Sequence, residues 1–140
     1  MKKVIAITAA LALAPTFAAA ESFQEAFEMN RAMHGKNHVF EWNGNKYNTN
    51  HEEEVEAAVK ATKANALDLI AKAKAKNKEA AEVGFEWKLT GGIIKDAEKA
   101  VEAGEYRKAL DLAAQAKYHS RMGIQQHAYA QKHWHLSVPQ

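Results

Sequence analysis

The stretch KDAEKAVEAGEYRKALDLAAQA, residues Lys95–Ala116, carries two alanine-rich helical patterns on either side of one glycine, Gly104. Glycine commonly follows the last turn of a helix because it adopts the left-handed backbone conformation without steric cost. The pattern therefore predicts one helix that ends at Gly104 and a second helix that begins directly after it. Helices joined by so short a turn run antiparallel.

Small and apolar residues recur at alternating spacings of four and three over a long interval before this turn. The series comprises Val55, Val59, Thr62, Ala66, Leu69, Ala73, Lys76, Ala80, Val83, Trp87, Thr90, Ile94, Ala97 and Val101. A heptad phase held over such a length predicts one long helix or two helices in register. Gly91-Gly92 could kink that helix, since glycine costs about 1 kcal/mol in a helix interior. After the turn, a helix is predicted from about Glu105 to Trp134.

Positions equidistant from the turn can be matched across the two predicted helices. Nearly every large residue then faces a small one, and Trp87 lies over a notch formed by Ser120 and Gly123, which suits the dense packing of protein interiors. The fold is therefore predicted to be all-α, dominated by a long antiparallel, coiled-coil-like helical hairpin over residues 51–134. Its Val55–Leu69 part lacks a partner, so we expect the preceding residues, a second copy or another protein to cover it.

A short helix and a small β-hairpin are predicted over residues 21–50. The helix spans Ser22–Met33, with Ser22 as its N-cap and Gly35 at its end. The dipeptide Asn43-Gly44 is a strong signal for a two-residue type I′ hairpin turn. The resulting register pairs Phe40 with Tyr47, Glu41 with Lys46 and Trp42 with Asn45. A lone hairpin is marginal in water, so its aromatic face is expected to pack on another element.

The first twenty residues have the pattern of a secretory signal peptide. Lys2 and Lys3 precede an apolar run from Val4 to Ala14, and Ala18-Ala19-Ala20 offers small residues for cleavage. We therefore expect an exported, periplasmic protein with no membrane segment after cleavage. Loss of the two lysines leaves 17 basic residues against 17 acidic ones, a balance that gives no electrostatic reason to bind nucleic acid.

The chain contains no cysteine, which excludes disulfides, a thiol nucleophile and covalent c-type haem attachment. No arrangement of serine, histidine and acid suggests nucleophilic catalysis, and no glycine-rich loop suggests phosphate binding. The sequence therefore predicts a protein that is not an enzyme and that carries no cofactor of its own.

Histidines and methionines are the candidate metal ligands in this sequence. The histidines of the last helix, His119, His127, His133 and His135, include no pair four residues apart. His34 and His38 are four apart, but Gly35 lies between them and breaks the helix. Met29 and Met33 are also four apart and would suit Cu(I) weakly, yet the simpler interpretation places them in the core of the short helix. No metal site is predicted.

A strip of residues beside the predicted seam is the candidate partner-binding site. Gly84 and Gly91 are seven residues apart and flank Trp87, and a glycine-lined strip allows close approach of another backbone. Phe85 is two positions from Trp87, so on a helix it would point away from the hairpin partner. A large exposed apolar side chain there suggests a contact surface, unless the aromatic face of the β-hairpin covers it. The predicted site comprises Gly84, Phe85, Trp87, Lys88, Thr90 and Gly91.

The segments GFEWKLTGG, residues 84–92, and AEKAVEAGEYRKALDLAAQAKYHSRMGIQQ, residues 97–126, resemble the SoxXA-binding protein family. Members are small exported accessory subunits of the Sox thiosulfate-oxidising system. The residues that match its Gly-x-x-Trp, Thr-Gly and Gly-Glu-Tyr patterns are Gly84, Trp87, Thr90, Gly91, Gly104, Glu105 and Tyr106, whereas Lys88-Leu89 stands where the family has Arg-Asp. The resemblance implies a non-catalytic protein that binds the SoxXA-type multihaem cytochrome, with any haem belonging to that partner.

Two other functions stay open on the sequence alone. One is a helical bundle that binds a metal or a non-covalent b-type haem, with Met29 or Met33 and one of the C-terminal histidines as axial ligands of the haem. The other is a structural homodimer in which the unpaired seams of two copies pack together.

Overall fold

The computed structural model describes residues 22–136, which fall into two compact units divided between Thr49 and Asn50. We call residues 22–49 the N-terminal unit and residues 50–136 the C-terminal unit. The predicted signal peptide, residues 1–20, lies outside the described residues.

The N-terminal unit begins with helix α1, Phe23–His34. Its first turn is closed by a reciprocal pair of hydrogen bonds. The Glu25 backbone N–H donates to the Ser22 hydroxyl at 3.2 Å, and the Ser22 N–H donates to the Glu25 carboxylate at 2.8 Å. This capping box satisfies backbone donors that have no partner inside the helix. The predicted cap at Ser22 is confirmed, and Gly35 ends the helix with φ of +73°.

Strands β1, Val39–Trp42, and β2, Asn45–Asn48, form an antiparallel hairpin. Asn43 and Gly44 both have positive φ, 49° and 77°, as a type I′ turn requires. Phe40 faces Tyr47, Glu41 faces Lys46 and Trp42 faces Asn45. The predicted register is confirmed, because the turn dipeptide alone determines which residues face each other.

Helix α1 supplies the cover that the hairpin needs. The ring of Phe23 lies 4.8 Å from that of Tyr47 and 5.4 Å from that of Trp42, both edge-on. Phe27 meets Phe40 at 6.3 Å. Edge-to-face aromatic pairs contribute beyond their buried area, so this cluster stabilises an otherwise marginal hairpin.

The C-terminal unit contains helices α2, Glu52–Ala57, α3, Lys63–Glu82, α4, Thr90–Glu102, and α5, Tyr106–His133, followed by a 3₁₀ turn, Trp134–Leu136. Helices α2, α3 and α4 all pack against α5. The core is built largely from alanines, and those with no exposed surface are Ala66, Ala73, Ala80, Ala97, Ala109, Ala113 and Ala116. Small residues let helix backbones approach closely, so α5 can accept three neighbours.

The turn predicted at Gly104 is present. Gly104 has φ of +77°, and the Glu105 N–H donates to the Ala100 carbonyl at 2.8 Å, which closes the end of α4. Helix α5 begins directly afterwards at Tyr106 and extends to His133, close to its predicted limits. In the residues described, no helix combines the length and apolar character needed to cross a membrane.

The interval before Gly104 contains three helices, where one long helix or two helices in register were predicted, and the long coiled-coil hairpin is not confirmed. The chain leaves the helical conformation between α2 and α3 and again between α3 and α4. The Val55–Leu69 seam is therefore divided. Ala66 and Leu69 are buried in the core with residues of α5, whereas Val55 and Val59 are 58% and 44% exposed.

The first break has a tertiary cause. Arg107 of α5 donates hydrogen bonds to the carbonyl oxygens of Ala57 and Val59, which a continuing helix would have used internally. Thr62 then caps α3 by accepting from the Asn65 N–H at 3.2 Å. The chain thus ends one helix and starts the next without glycine or proline.

Candidate partner-binding site

Four of the six predicted site residues, Gly84, Phe85, Trp87 and Lys88, lie in the segment between α3 and α4, which is not helical. The Gly84 and Phe85 N–H groups donate to the carbonyls of Ala81 and Ala80, each at 2.9 Å, and Gly84 adopts φ of +75°. These bonds close the end of α3 and turn the chain outward. The Thr90 N–H then donates to the Trp87 carbonyl at 2.9 Å where α4 begins.

In this segment, burial alternates with a period of two. Phe85 and Trp87 are half-buried, whereas Gly84, Glu86 and Lys88 are exposed. In extended backbone, residues i and i+2 project to the same side. The prediction that Phe85 points away from the helix carrying Ser120 and Gly123 is therefore wrong, because it assumed a helical period.

Both aromatic side chains lie on α5. The Phe85 ring meets the His127 ring edge-on at 5.2 Å, and the Trp87 ring meets the His119 ring at 5.0 Å. The indole N–H of Trp87 donates to the Gln126 side-chain oxygen at 3.0 Å. Trp87 is thus held by packing and by a hydrogen bond that satisfies its polar atom.

The closest approach to α5 occurs at Gly123, where the backbone of Phe85 comes nearer than the Trp87 side chain that the matching of large and small residues placed there. A Cβ atom at Gly123 would collide with the carbonyl oxygen of Phe85 and would lie 3.6 Å from Cδ1 of Trp87. A glycine on α5 therefore lets the extended segment lie directly on the helix. The Ser120 hydroxyl beside it donates to the Ala116 carbonyl at 2.9 Å.

The other predicted contact residues have different positions. Thr90 has no exposed surface, so it supports the start of α4 and is not available to a partner. Its buried hydroxyl oxygen has no hydrogen-bond partner among the described residues. Gly91 is half-buried in the first turn of α4, while Lys88 and the neighbouring Leu89 are exposed. Of the six predicted residues, Trp87 is held in place and keeps accessible surface, and Lys88 is exposed.

An open groove of about 440 Å³ lies beside Trp87. Its lining residues are Trp87, Tyr118, Met122, Gln125, Gln126 and Tyr129, and we call it the Trp87 groove. Apart from Trp87, these residues belong to α5 and were not predicted as site residues. Their signal in the sequence is the spacing of Tyr118, Met122, Gln125 and Tyr129, which places them on one face of a helix.

Charged groups fix Tyr118 at one side of the Trp87 groove. The guanidinium of Arg121 lies over the Tyr118 ring, 5.3 Å from its centroid. The centroid of the His51 ring lies 4.6 Å from that of the same Tyr118 ring. Arg121 in turn donates two hydrogen bonds to Glu53, whose side chain is 1% exposed. This network anchors α2 to α5 and holds one wall of the groove.

The His119 ring packs against the Trp87 ring, and its partial burial disfavours the charged form. Its Nδ1 is buried and has no hydrogen-bond partner among residues 22–136. Desolvation lowers the pKa of His119 from its ordinary value of 6.5.

Metal-binding clusters of the usual kind are absent from the described part of the chain, where no group of three or more histidine, cysteine, aspartate or glutamate residues could hold an ion.

Comparison with protein-family models gives no match, and comparisons with curated proteins and with solved structures find none of significant similarity.

Proposed function

We propose that this protein is a non-catalytic periplasmic accessory protein that binds a SoxXA-type multihaem cytochrome through the Trp87 groove. The observation that carries the proposal is the groove itself, a solvent-open surface lined by three aromatic side chains and one methionine. Aromatic residues and methionine are enriched at protein interfaces, where rigid rings supply contact area at low entropic cost.

Two aromatic side chains of the groove are already held in position by other residues of the chain. Trp87 is held by Gln126 and His119, and Tyr118 is held by Arg121. Tyr129 remains 64% exposed and can be covered by a partner. Binding costs less entropy when the contacting side chains are already fixed. We therefore expect Trp87 and Tyr118 to be the main contact residues, and the exposed Tyr129 to adjust its position when a partner binds.

The choice of partner rests on the resemblance of residues 84–92 and 97–126 to SoxXA-binding proteins. These two segments supply the two sides of the groove: Trp87 comes from the first, and Tyr118, Met122 and Gln126 come from the second. Of the residues that match the family's patterns, Trp87 lines the groove, whereas Gly104, Glu105 and Tyr106 lie at the turn between α4 and α5 and do not line it.

The contact face proposed from the structure differs from the one predicted from sequence. It consists of Trp87, Tyr118, Met122, Tyr129 and the exposed Lys88. Phe85, Thr90 and the neighbouring glycines position this face, and they do not form it.

Recovery of the partner from the native host tests the proposal. A tagged chain is purified from cells grown on thiosulfate, and haem-stained proteins in the eluate are identified by mass spectrometry. We expect a SoxXA-type cytochrome with the unaltered chain and with Gln115→Ser, an exposed change elsewhere on α5, and a loss with Tyr129→Ser. Absence of any such cytochrome from the eluate would overturn the proposal, and equal recovery by both variants would overturn the assignment of the groove.

A further inference from the structure

The two methionines of α1 lie on the surface. Met29 and Met33 are 55% and 69% exposed, so the interpretation that places them in the helix core is wrong. They are four residues apart on a helix, where Cβ atoms are separated by about 5–6 Å. Methionine has three rotatable side-chain bonds, so both thioether sulfurs can reach one point above the helix.

A histidine pair lies at the end of the same helix. The rings of His34 and His38 stack with centroids 3.9 Å apart and planes inclined by 22°. Gly35 does break the helix between them, as the sequence indicates. The break nevertheless brings the rings together, because Gly35 and Asn37 both adopt positive φ, 73° and 64°, and turn the chain back.

Thr49 holds this turn in place. Its hydroxyl donates to the Gly35 carbonyl at 2.7 Å and accepts from the His38 N–H at 3.0 Å. Thr49 has no exposed surface. A buried hydrogen-bonded hydroxyl is costly to displace, so the histidine pair is held at the C-terminal end of α1 by the fold of the N-terminal unit.

We propose that Met29, Met33 and the His34–His38 pair form a binding site for one Cu(I) ion. Soft thioether ligands select Cu(I), and imidazole also suits copper. Thioether and imidazole ligands bring no negative charge, which matches a monovalent cation better than a divalent one. The site lies in the N-terminal unit and does not depend on the Trp87 groove.

Anaerobic competition with a chromogenic Cu(I) chelator tests the site on the full chain. We expect one Cu(I) per chain to be withheld from the chelator. The double variant Met29→Leu/Met33→Leu should lose this binding, and it preserves side-chain volume at exposed positions, so folding is not at risk. Met122→Leu is the matched control, because it removes a thioether from the Trp87 groove, and it should bind as the unaltered chain does.

The histidine contribution is tested in the same assay. The double variant His34→Ala/His38→Ala should lose Cu(I) binding, whereas His133→Ala, which removes another ring-stacked histidine, should keep it. Addition of Ag(I), a redox-stable substitute for Cu(I), should shift the methyl resonances of Met29 and Met33 and leave that of Met122 unchanged. The proposal is overturned if the chain withholds no Cu(I), if the methionine double variant binds normally, or if Met122 carries the shift.

Discussion

Gly123 of α5 lies directly under the backbone carbonyl of Phe85, so that a Cβ atom at position 123 would collide with that oxygen. The partner atom is backbone and cannot rotate away as a flexible side chain could. The extended segment that carries Phe85 and Trp87 can therefore lie on α5 because residue 123 is glycine.

Gly123→Ala should destabilise the C-terminal unit. Overpacking costs about 1–3 kcal/mol, and the better helix propensity of alanine returns about 1 kcal/mol. We expect a net loss of about 1 kcal/mol in the free energy of unfolding, measured by urea denaturation. Gly92→Ala is the matched control, because a Cβ atom there meets nothing within 4 Å, and it should be neutral or stabilising. Equal effects of the two substitutions would contradict the close approach at Gly123.

Arg121→Ala tests the anchoring of α2. The substitution leaves the carboxylate of Glu53 buried and unpaired, and breaking a buried ion pair costs about 3–5 kcal/mol. The Arg121 side chain is 23% exposed, so we expect a loss near the lower end, about 3 kcal/mol, in the free energy of unfolding. Lys72→Ala removes an exposed ion pair with Asp68 and should cause no measurable loss. A comparable loss in both variants would argue against a buried pair.

Glu53 should also make stability depend on acid pH. Burial raises the pKa of this carboxyl, but hydrogen bonds from Arg121 and the charges of Arg121 and Lys117 outweigh burial, so the pKa lies below its ordinary value of 4.5. The unfolded chain then takes up the proton first as the pH falls. This stabilisation is complete above pH 4.5 and is lost as the pH falls through the lower pKa of the folded state.

Urea denaturation at about pH 7 and about pH 3 measures this contribution. The unaltered chain should lose more stability between the two conditions than Glu53→Gln does, because the variant has no carboxyl to titrate at this position. An identical loss in the two proteins would show that Glu53 does not contribute.

His119 should titrate below 6.5 in the folded protein, since burial disfavours its charged form. Its Cε1 proton resonance, followed by NMR against pH, gives the midpoint directly. Trp87→Ala exposes the imidazole to water and should raise the midpoint toward 6.5. A midpoint at or above 6.5 in the unaltered chain would contradict the desolvated position under Trp87.

Local sequence signals predicted the elements that local chemistry determines. Asn43-Gly44 determined the register of the hairpin, Ser22 capped α1, and Gly104 ended α4. Each of these signals acts within a few residues, so no knowledge of the tertiary fold was needed.

The two breaks in the long helical pattern were not predictable in the same way. At Ala58–Thr62, the interruption depends on Arg107, which is distant in the chain and binds the carbonyls of Ala57 and Val59. At residues 83–89, the spacing of Val83, Trp87 and Thr90 continues the helical series although the backbone there is not helical. A helical repeat and the observed alternation of burial both place Trp87 against α5. They differ for Phe85, because a helical repeat would turn it away from α5, whereas the alternation places it against α5.

Direct binding of the purified chain to a purified SoxXA-type cytochrome tests the central claim, and isothermal titration calorimetry measures it. We predict saturable binding that Gln115→Ser leaves intact and that Tyr129→Ser and Met122→Ser weaken, with circular dichroism confirming that each variant is folded. An absence of binding, or equal binding by all three variants, would contradict the assignment of the Trp87 groove as the docking surface for that cytochrome.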